Sequence, residues 1–447
     1  LKPTKKNNPI VKTINRYVPK LVYEKLQVLE YKNKDHLYVI CDMIYRISIY
    51  RKEDLDYSNQ YTDIPQYYFT DIITDKNNYR LAMDKLKDEK IIICDGKSSK
   101  INGKALGYKY HENYISPLVK FEIKKSTLIK RIINNRNARH SFVNNKYKIY
   151  KEHFITTFKI DYDKALEYIN NWYYEELSTN TGDIIKNFIK INNQYNFLLM
   201  SISAINDGAI FFRHNETNGR IDTNLTNMKK QLKKFIISEE PLYQIDITNS
   251  QPYLLSVILN NEMDNKIDQN ELMKYTHWTT RGIFYEKFIN AYYNLTSKRY
   301  ERDDIKDVMF CIFYSKNESY KKEKYIFSSL FPTINEWINE QKKEKHNKLA
   351  IRMQQFESTI CIDVICEEMN KQDLKYYTIH DAWLVREKDI EKTITIINKS
   401  FTNLYNTKPT LKIEKILTGE IKYKGFCFTR QSQRNRVRGY KNHLLKK

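Results

Sequence analysis

Apolar and polar positions recur with different periods along this chain, and the changes of period mark its elements. Across residues 79–96, Leu81, Leu86 and Ile91 read as one face of an amphipathic helix that runs into the β-branched strand Ile91-Ile-Ile-Cys. A turn rich in Gly, Lys and Ser occupies residues 95–103, and Lys104-Ala-Leu-Gly-Tyr-Lys-Tyr returns as a second strand. From about residue 126 to residue 203 the pattern is long, basic and helical, and Lys130, Arg131, Arg136, Arg139 and His140 form a run with no acid in it. Further on, Tyr243-Gln-Ile-Asp-Ile is β-like and brings Asp246 to a strand end, and an apolar helical run follows Pro252. Arg302, Lys306, Phe310 and Tyr314 recur every four residues, which stacks them on one helix face. Last, Tyr376-Tyr-Thr-Ile-His-Asp-Ala-Trp-Leu-Val predicts a β-hairpin with Asp381 at its tip.

Composition sharpens this picture. With 447 residues the chain exceeds a single common domain, and 41% hydrophobic content supports real cores, which excludes wholesale disorder. The formal net charge of +22 calls for a polyanionic partner, nucleic acid before an anionic membrane surface, although the heavy use of Asn, Lys, Ile and Tyr is also what an A/T-rich genome gives. No run of about 18 apolar residues exists, so no transmembrane helix and no membrane partner are expected. The segment Leu1-Lys-Pro-Thr-Lys-Lys has no apolar core of the secretory kind, and the six cysteines form no CxxC pair. A cytoplasmic protein with reduced thiols is therefore expected, in the host-cell cytoplasm if a virus or mobile element encodes it.

The helix and two-stranded ribbon near residue 100 resemble a winged helix-turn-helix, in which Lys97, Lys100 and Lys104 would meet phosphates. A small α+β packing domain is the simpler reading of the same pattern. Asp246 and Asp381, both strand-borne, suit a hard divalent metal, and two such carboxylates converging in space could hold two Mg²⁺ ions about 3.5–4 Å apart for in-line phosphoryl transfer. A turn or cap aspartate is the commoner case for either alone. On the intervening helix, the cations Arg302 and Lys306 suit a triphosphate and the aromatics Phe310 and Tyr314 suit base stacking; an amphipathic core helix with snorkelling cations is the alternative.

Taken in order, these elements resemble the polymerase domain of the family-A DNA polymerases, the superfamily shared with single-subunit phage-type RNA polymerases. Asp246 resembles the aspartate of that family's first palm motif, and Arg302, Lys306, Phe310 and Tyr314 match its fingers-helix pattern without a gap. His380-Asp381 resembles the palm hairpin, and Thr217-Asn-Gly-Arg resembles the Thr-Gly-Arg segment upstream of the first palm motif. Gln354, Gln355 and Glu357 lie where the family has a Gln-containing helix. The resemblance covers residues 215–429, roughly half of the chain.

What it implies is an α+β, right-hand architecture with an antiparallel-sheet palm and helical fingers and thumb. The expected organisation is a winged-helix-like nucleic-acid-binding module over residues 1–124, a helical thumb-like region over 125–214, palm and fingers over 215–429, and a basic tail over 430–447 that is either solvated or binds nucleic acid. The resemblance implies that Asp246 and Asp381 ligate two Mg²⁺ ions, with Mn²⁺ as a substitute, and that Lys306 and Arg302 neutralise the triphosphate of an incoming nucleoside triphosphate. Phe310 would pack on the nucleotide and Tyr314 near the templating base. Arg220, Gln355 and His380 would contact the primer–template.

Departures matter too. Gln251 stands where the family carries a sugar-selecting Glu, Ser315 replaces the Gly after the fingers Tyr, and Ala382 replaces an acidic residue after His-Asp. The N-terminal region is too short for a proofreading exonuclease together with a thumb. The expected function is a compact DNA polymerase without proofreading that serves replication of a phage, plasmid or mobile element. The alternatives are an RNA polymerase or primase on the same fold, and a DNA-binding replication initiator whose polymerase-like half is inactive.

Overall fold

The computed structural model describes residues 13–51, 61–99, 101, 103–140, 145–179, 182–417 and 421–424. Lys100 and the basic stretch 430–447 lie outside the described residues. The chain is mixed α+β, mostly helical, with small antiparallel sheets, and it divides into two compact units. The first runs to Arg213 and takes in Asn227–Ile237; the second comprises His214–Thr226 and the chain from Ser238 onward. Among the described residues no helix is long and apolar enough to cross a membrane.

In the first unit, β1 (Ile14–Pro19) leads into α1 (Lys20–Val28) and α2 (Lys34–Arg51). Next come β2 (Thr62–Asp63), α3 (Tyr67–Thr70), α4 (Lys76–Asp88), β3 (Ile92–Cys94), β4 (Gly107–Tyr110) and β5 (Leu118–Ile123). Strand β1 pairs antiparallel with β5, Ile14 facing Ile123, while β4 lies between β2 and β3. Helix α4 is N-capped by Asp75, whose carboxylate accepts from the amides of Asn77 and Asn78. Its buried stripe is Tyr79, Ala82, Met83 and Leu86, not the expected Leu81–Leu86–Ile91: Leu81 is 61% exposed, and Ile91 lies past the helix end. Helical spacing sets this, because Leu81 lies five residues before Leu86, off its face, whereas 79, 82/83 and 86 follow one face.

Four helices complete the unit: α5 (Ser126–His140), α6 (Lys148–Thr157), α7 (Tyr162–Thr179) and α8 (Ile184–Asn206). The core does not divide at residue 124. Phe197, Leu199 and Met200 of α8 join Val18, Leu37, Ile44 and Leu86 in one buried cluster. Asn196, also on α8 and fully buried, accepts from the Leu118 amide at 2.9 Å and donates to Tyr45 Oη at 2.6 Å. A buried amide with both ends satisfied fixes one packing of α8 on β5 and α2.

The second unit starts near β6 (Phe212–His214) and β7 (Ile221–Thr223) and is built on a five-stranded sheet. Its strands are β8 (Leu242–Ile247), β9 (Tyr376–Ile379), β10 (Ala382–Arg386), β11 (Leu411–Lys415) and β12 (Ile421–Lys424), in the order β12-β11-β8-β10-β9. Helix α9 (Ser250–Glu262) follows β8 and is buried from Pro252 to Leu259, as an all-round apolar helix must be. The helices α10 (Gln269–Thr280), α11 (Phe284–Thr296), α12 (Arg302–Tyr314), α13 (Lys321–Leu330), α14 (Pro332–Gln341) and α15 (Lys348–Ser358) enclose an aromatic core that includes Tyr275, Phe284, Phe288, Phe313, Phe327 and Phe331. Helix α15 passes through a π-helical stretch, Thr359–Cys366, into α16 (Glu367–Lys371), and α17 (Ile390–Tyr405) connects β10 to β11.

Candidate functional site

Strand β8 places its residues by simple alternation. Ile245 and Ile247 are buried, while Gln244 and Asp246 are partly exposed on the other face, where Gln244 Nε2 donates to Asp246 Oδ1 at 2.7 Å. In register, Asp246 is flanked by Ala382 on β10 and Lys412 on β11. The β9–β10 hairpin turns through only His380 and Asp381, with His380 in the left-handed region at φ 53°. The Asp381 carbonyl accepts from the Ile247 amide at 3.4 Å, so the hairpin turn that carries Asp381 meets β8 one residue beyond Asp246.

The chain leaves β8 through Asn249, also left-handed at φ 53°, a conformation asparagine tolerates better than most residues. Asn249 Oδ1 accepts from Arg302 Nη2 at 3.1 Å. Arg302, the first residue of α12, also meets Glu286 at 3.4 Å and lies 5.1 Å over the Tyr285 ring. The other end of α12 returns to the same segment, where Tyr314 Oη donates to Gln251 Oε1. Between them, Lys306 pairs with Asp303 at 2.6 Å, and Phe310, 44% exposed, stacks on Tyr314 with centroids 5.9 Å apart. Ile305, Met309, Ile312 and Phe313 bury the opposite face of α12. The four residues singled out by spacing therefore share the less buried face of the helix.

Glu357 sits at the centre of the site. It is 1% exposed, accepts from Arg220 at 2.9 and 3.0 Å as a two-pronged pair, and accepts from Gln251 Nε2 at 2.7 Å. Arg220 is delivered by a tight turn in which Gly219 adopts φ +73° and passes so close to Ser358 that a Cβ would lie 3.0 Å from the Ser358 Cβ. That turn is sewn to α15 by Ser358 Oγ donating to the Asn218 carbonyl, Asn218 Nδ2 to Gln354, and Gln355 Nε2 to the Thr217 carbonyl. Gln355 is itself exposed, so its bond braces the turn from outside.

The electrostatics follow from burial and from Asp381. Burial, then the Asp381 charge, push the Glu357 carboxyl up to about 7, against the pull of Arg220 and Gln251. Tyr314 is raised by burial and by the Glu357 charge. His380 is lowered by burial and by Arg220, with Asp381 and Asp222 opposing, which keeps its imidazole neutral at pH 7; its Nδ1 is buried without a hydrogen-bond partner. Among the described residues no group of three or more His, Cys, Asp and Glu side chains could hold a metal ion. One carboxylate at the end of β8 and one in the neighbouring hairpin turn are donors of the kind Mg²⁺ uses when substrate phosphates and water complete its shell.

The structure thus brings Asp246, Asp381, His380, Arg220, Gln251, Tyr314 and Arg302 to one region of the second unit, with Lys306 and Phe310 further along α12. Lys97 and Lys104 belong to the first unit: Lys97 is exposed, and Lys104 pairs with Asp95 at 3.1 Å inside its own turn. Sequence reasoning placed Glu357 only as part of a helix and passed over Asn249, Tyr285 and Glu286. Asn249 carried a signal, as a residue tolerant of left-handed backbone between a strand and a helix; the others are set by packing. Comparison with protein-family models and with curated proteins finds no match to this chain.

Proposed function

We propose that the second unit performs template-directed nucleotidyl transfer, and that the protein is a compact DNA polymerase acting on a primer–template. The observation that carries this reading is the tethering of α12 at both ends to the segment that follows Asp246, through Arg302–Asn249 and Tyr314–Gln251. A helix with cations at one end and aromatics at the other is thereby held to the segment that follows Asp246. This suits a triphosphate at Arg302 and Lys306, a base against Phe310 and Tyr314, and the reacting phosphorus toward Asp246 and Asp381.

In this reading the five-stranded sheet is the palm, the helices around α12 are the fingers, and α7 and α8 take the thumb role. The first unit contributes nucleic-acid binding, with Lys97 and Lys104 on its wing-like turn. Asp246 and Asp381 would hold Mg²⁺, which when bound activates the primer hydroxyl and stabilises the leaving pyrophosphate. Arg302 and Lys306 offset charge on the transferred and leaving groups. Neutral His380, beside Arg220, offers a hydrogen-bonding edge to the primer end without adding charge. The amide at Gln251, in place of a carboxylate, supports RNA synthesis as the second reading.

Extension of a labelled primer–template in Mg²⁺, with deoxynucleotides and ribonucleotides in separate reactions, tests the proposal. Deoxynucleotide extension is expected. Extension with ribonucleotides alone would transfer the assignment to an RNA polymerase or primase, and no extension on primed DNA or RNA would overturn both.

A further inference from the structure

The first unit holds a cavity of about 510 Å³, within the range that takes a small organic ligand. Strand β1, helices α2 and α5 and the end of α8 supply its walls. One wall is built on a buried acid. Asp42 of α2 accepts from the Tyr17 amide at 3.1 Å, and pairs with Arg16 at 3.3 Å and with Arg46, one helical turn on, at 2.9 Å. A single guanidinium neutralises a carboxylate. The second leaves this wall with a positive charge in surplus, and both arginines line the cavity. Each guanidinium also carries about five N–H donors, whereas a carboxylate accepts at about four sites, so Asp42 cannot engage both forks in full.

The other walls differ in kind. Ile133 of α5, with Met200 and Ala204 of α8, makes an apolar one. Just beyond α8, Asp207 also lines the cavity, and its Oδ1 accepts from Asn15 Nδ2 at 2.7 Å, which fixes the carboxylate beside β1. Asn15 precedes Arg16, so one strand carries both part of the cationic wall and the brace of the acid.

We propose that this cavity binds a nucleoside monophosphate, with its phosphate on Arg16 and Arg46, its base against Met200 and Ile133, and an N–H of the base donated to Asp207. Planar guanidinium forks hold phosphate oxygens in pairs. A phosphate alone would leave the apolar wall and Asp207 unused. A ligand with an anion at one end and N–H donors on a flat, largely apolar body at the other meets all three walls. The cavity belongs to the first unit alone, so the site does not depend on the nucleotidyltransferase reading.

The test is calorimetric titration of the full chain with AMP and GMP, in the presence of a chelator so that metal-dependent nucleotide binding elsewhere is silent. Inorganic phosphate and a 5′-phosphorylated oligonucleotide are titrated in parallel, and thermal unfolding confirms that each variant is folded. Wild type is expected to bind AMP or GMP at one site per chain, with inorganic phosphate weaker by about tenfold or more. Arg46→Gln, in which Arg16 still pairs with Asp42, should weaken the nucleotide by about tenfold or more. Ala204→Phe, which fills the cavity from its apolar side and leaves both arginines in place, should abolish binding. The proposal is overturned if wild type binds neither monophosphate, if both folded variants keep wild-type affinity, or if inorganic phosphate binds as tightly as the nucleotide. Binding of the oligonucleotide alone also overturns it, and would make the cavity a seat for a strand end.

Discussion

Glu357 illustrates how its surroundings set the charge of a single side chain and, through it, stability. Its carboxyl is raised to about 7 because burial and the Asp381 charge disfavour the ionised form more than Arg220 favours it. In the unfolded chain the same group titrates near the ordinary carboxyl value of about 4.3. A pKa raised by folding means that the folded state binds the proton more tightly. The stabilisation is then complete below the ordinary carboxyl range and is lost as pH rises through 7. In metal-free protein, the melting temperature of wild type relative to Glu357→Gln should therefore fall between about pH 5 and pH 8. A difference that is flat across that window in calorimetry would show that Glu357 is already ionised well below 7.

Residues of this kind also mark the limit of reading a site from sequence. Asp246, His380, Asp381 and the Arg302–Tyr314 face were legible because strand alternation, a two-residue turn and a spacing of four place them locally. The partner of Arg220 was not, because it depends on α15 docking on the distant turn that carries Arg220. Leu81 failed for the opposite reason: a lone leucine drew attention from the stripe of Tyr79, Ala82, Met83 and Leu86, whose tyrosine and alanine are weaker signals.

Among the elements, the turn before β7 and the helix α12 govern the site. The turn owes its shape to Gly219, where any side chain would meet both a left-handed backbone and the Ser358 Cβ at 3.0 Å. Gly219→Ala should cost about 1–3 kcal/mol in urea unfolding and shift Arg220 off Glu357. An unchanged unfolding midpoint would mean that the turn relaxes freely. Helix α12 starts on a capping box, with Glu301 and Asp304 satisfying each other's backbone amides. At its other end the buried Lys342 donates to the Ile312 carbonyl at 2.8 Å. Burial and neighbouring Lys324 lower the Lys342 ammonium to about 8, which is tolerable because the carbonyl end of a helix attracts positive charge. The helix that would carry the nucleotide is thus fixed at both termini as well as tied to the segment after Asp246.

For the whole molecule, the chain forms two compact units with separate hydrophobic cores and carries a net charge of +22. The α+β class and the main elements of the second unit followed from the pattern of the sequence. That α5 and α8 share a core with the N-terminal elements did not, because the buried amide of Asn196 and the apolar contacts of α8 are long-range. If nucleic acid is the partner, binding of a primed duplex should weaken on the order of 10³-fold between about 50 and 200 mM salt, as contacts with some six or more phosphates require. A flat response would remove the phosphate-binding role of the basic surplus.

The central claim is that Asp246 and Asp381 together support metal-dependent nucleotidyl transfer, and the most direct measurement is Mg²⁺-dependent incorporation of one nucleotide onto a primed template by wild type, Asp246→Asn and Asp381→Asn, each first shown to be folded. The account predicts incorporation by wild type that is abolished by chelation and reduced by about 10³-fold or more in either variant. Wild-type rates in both variants would contradict it.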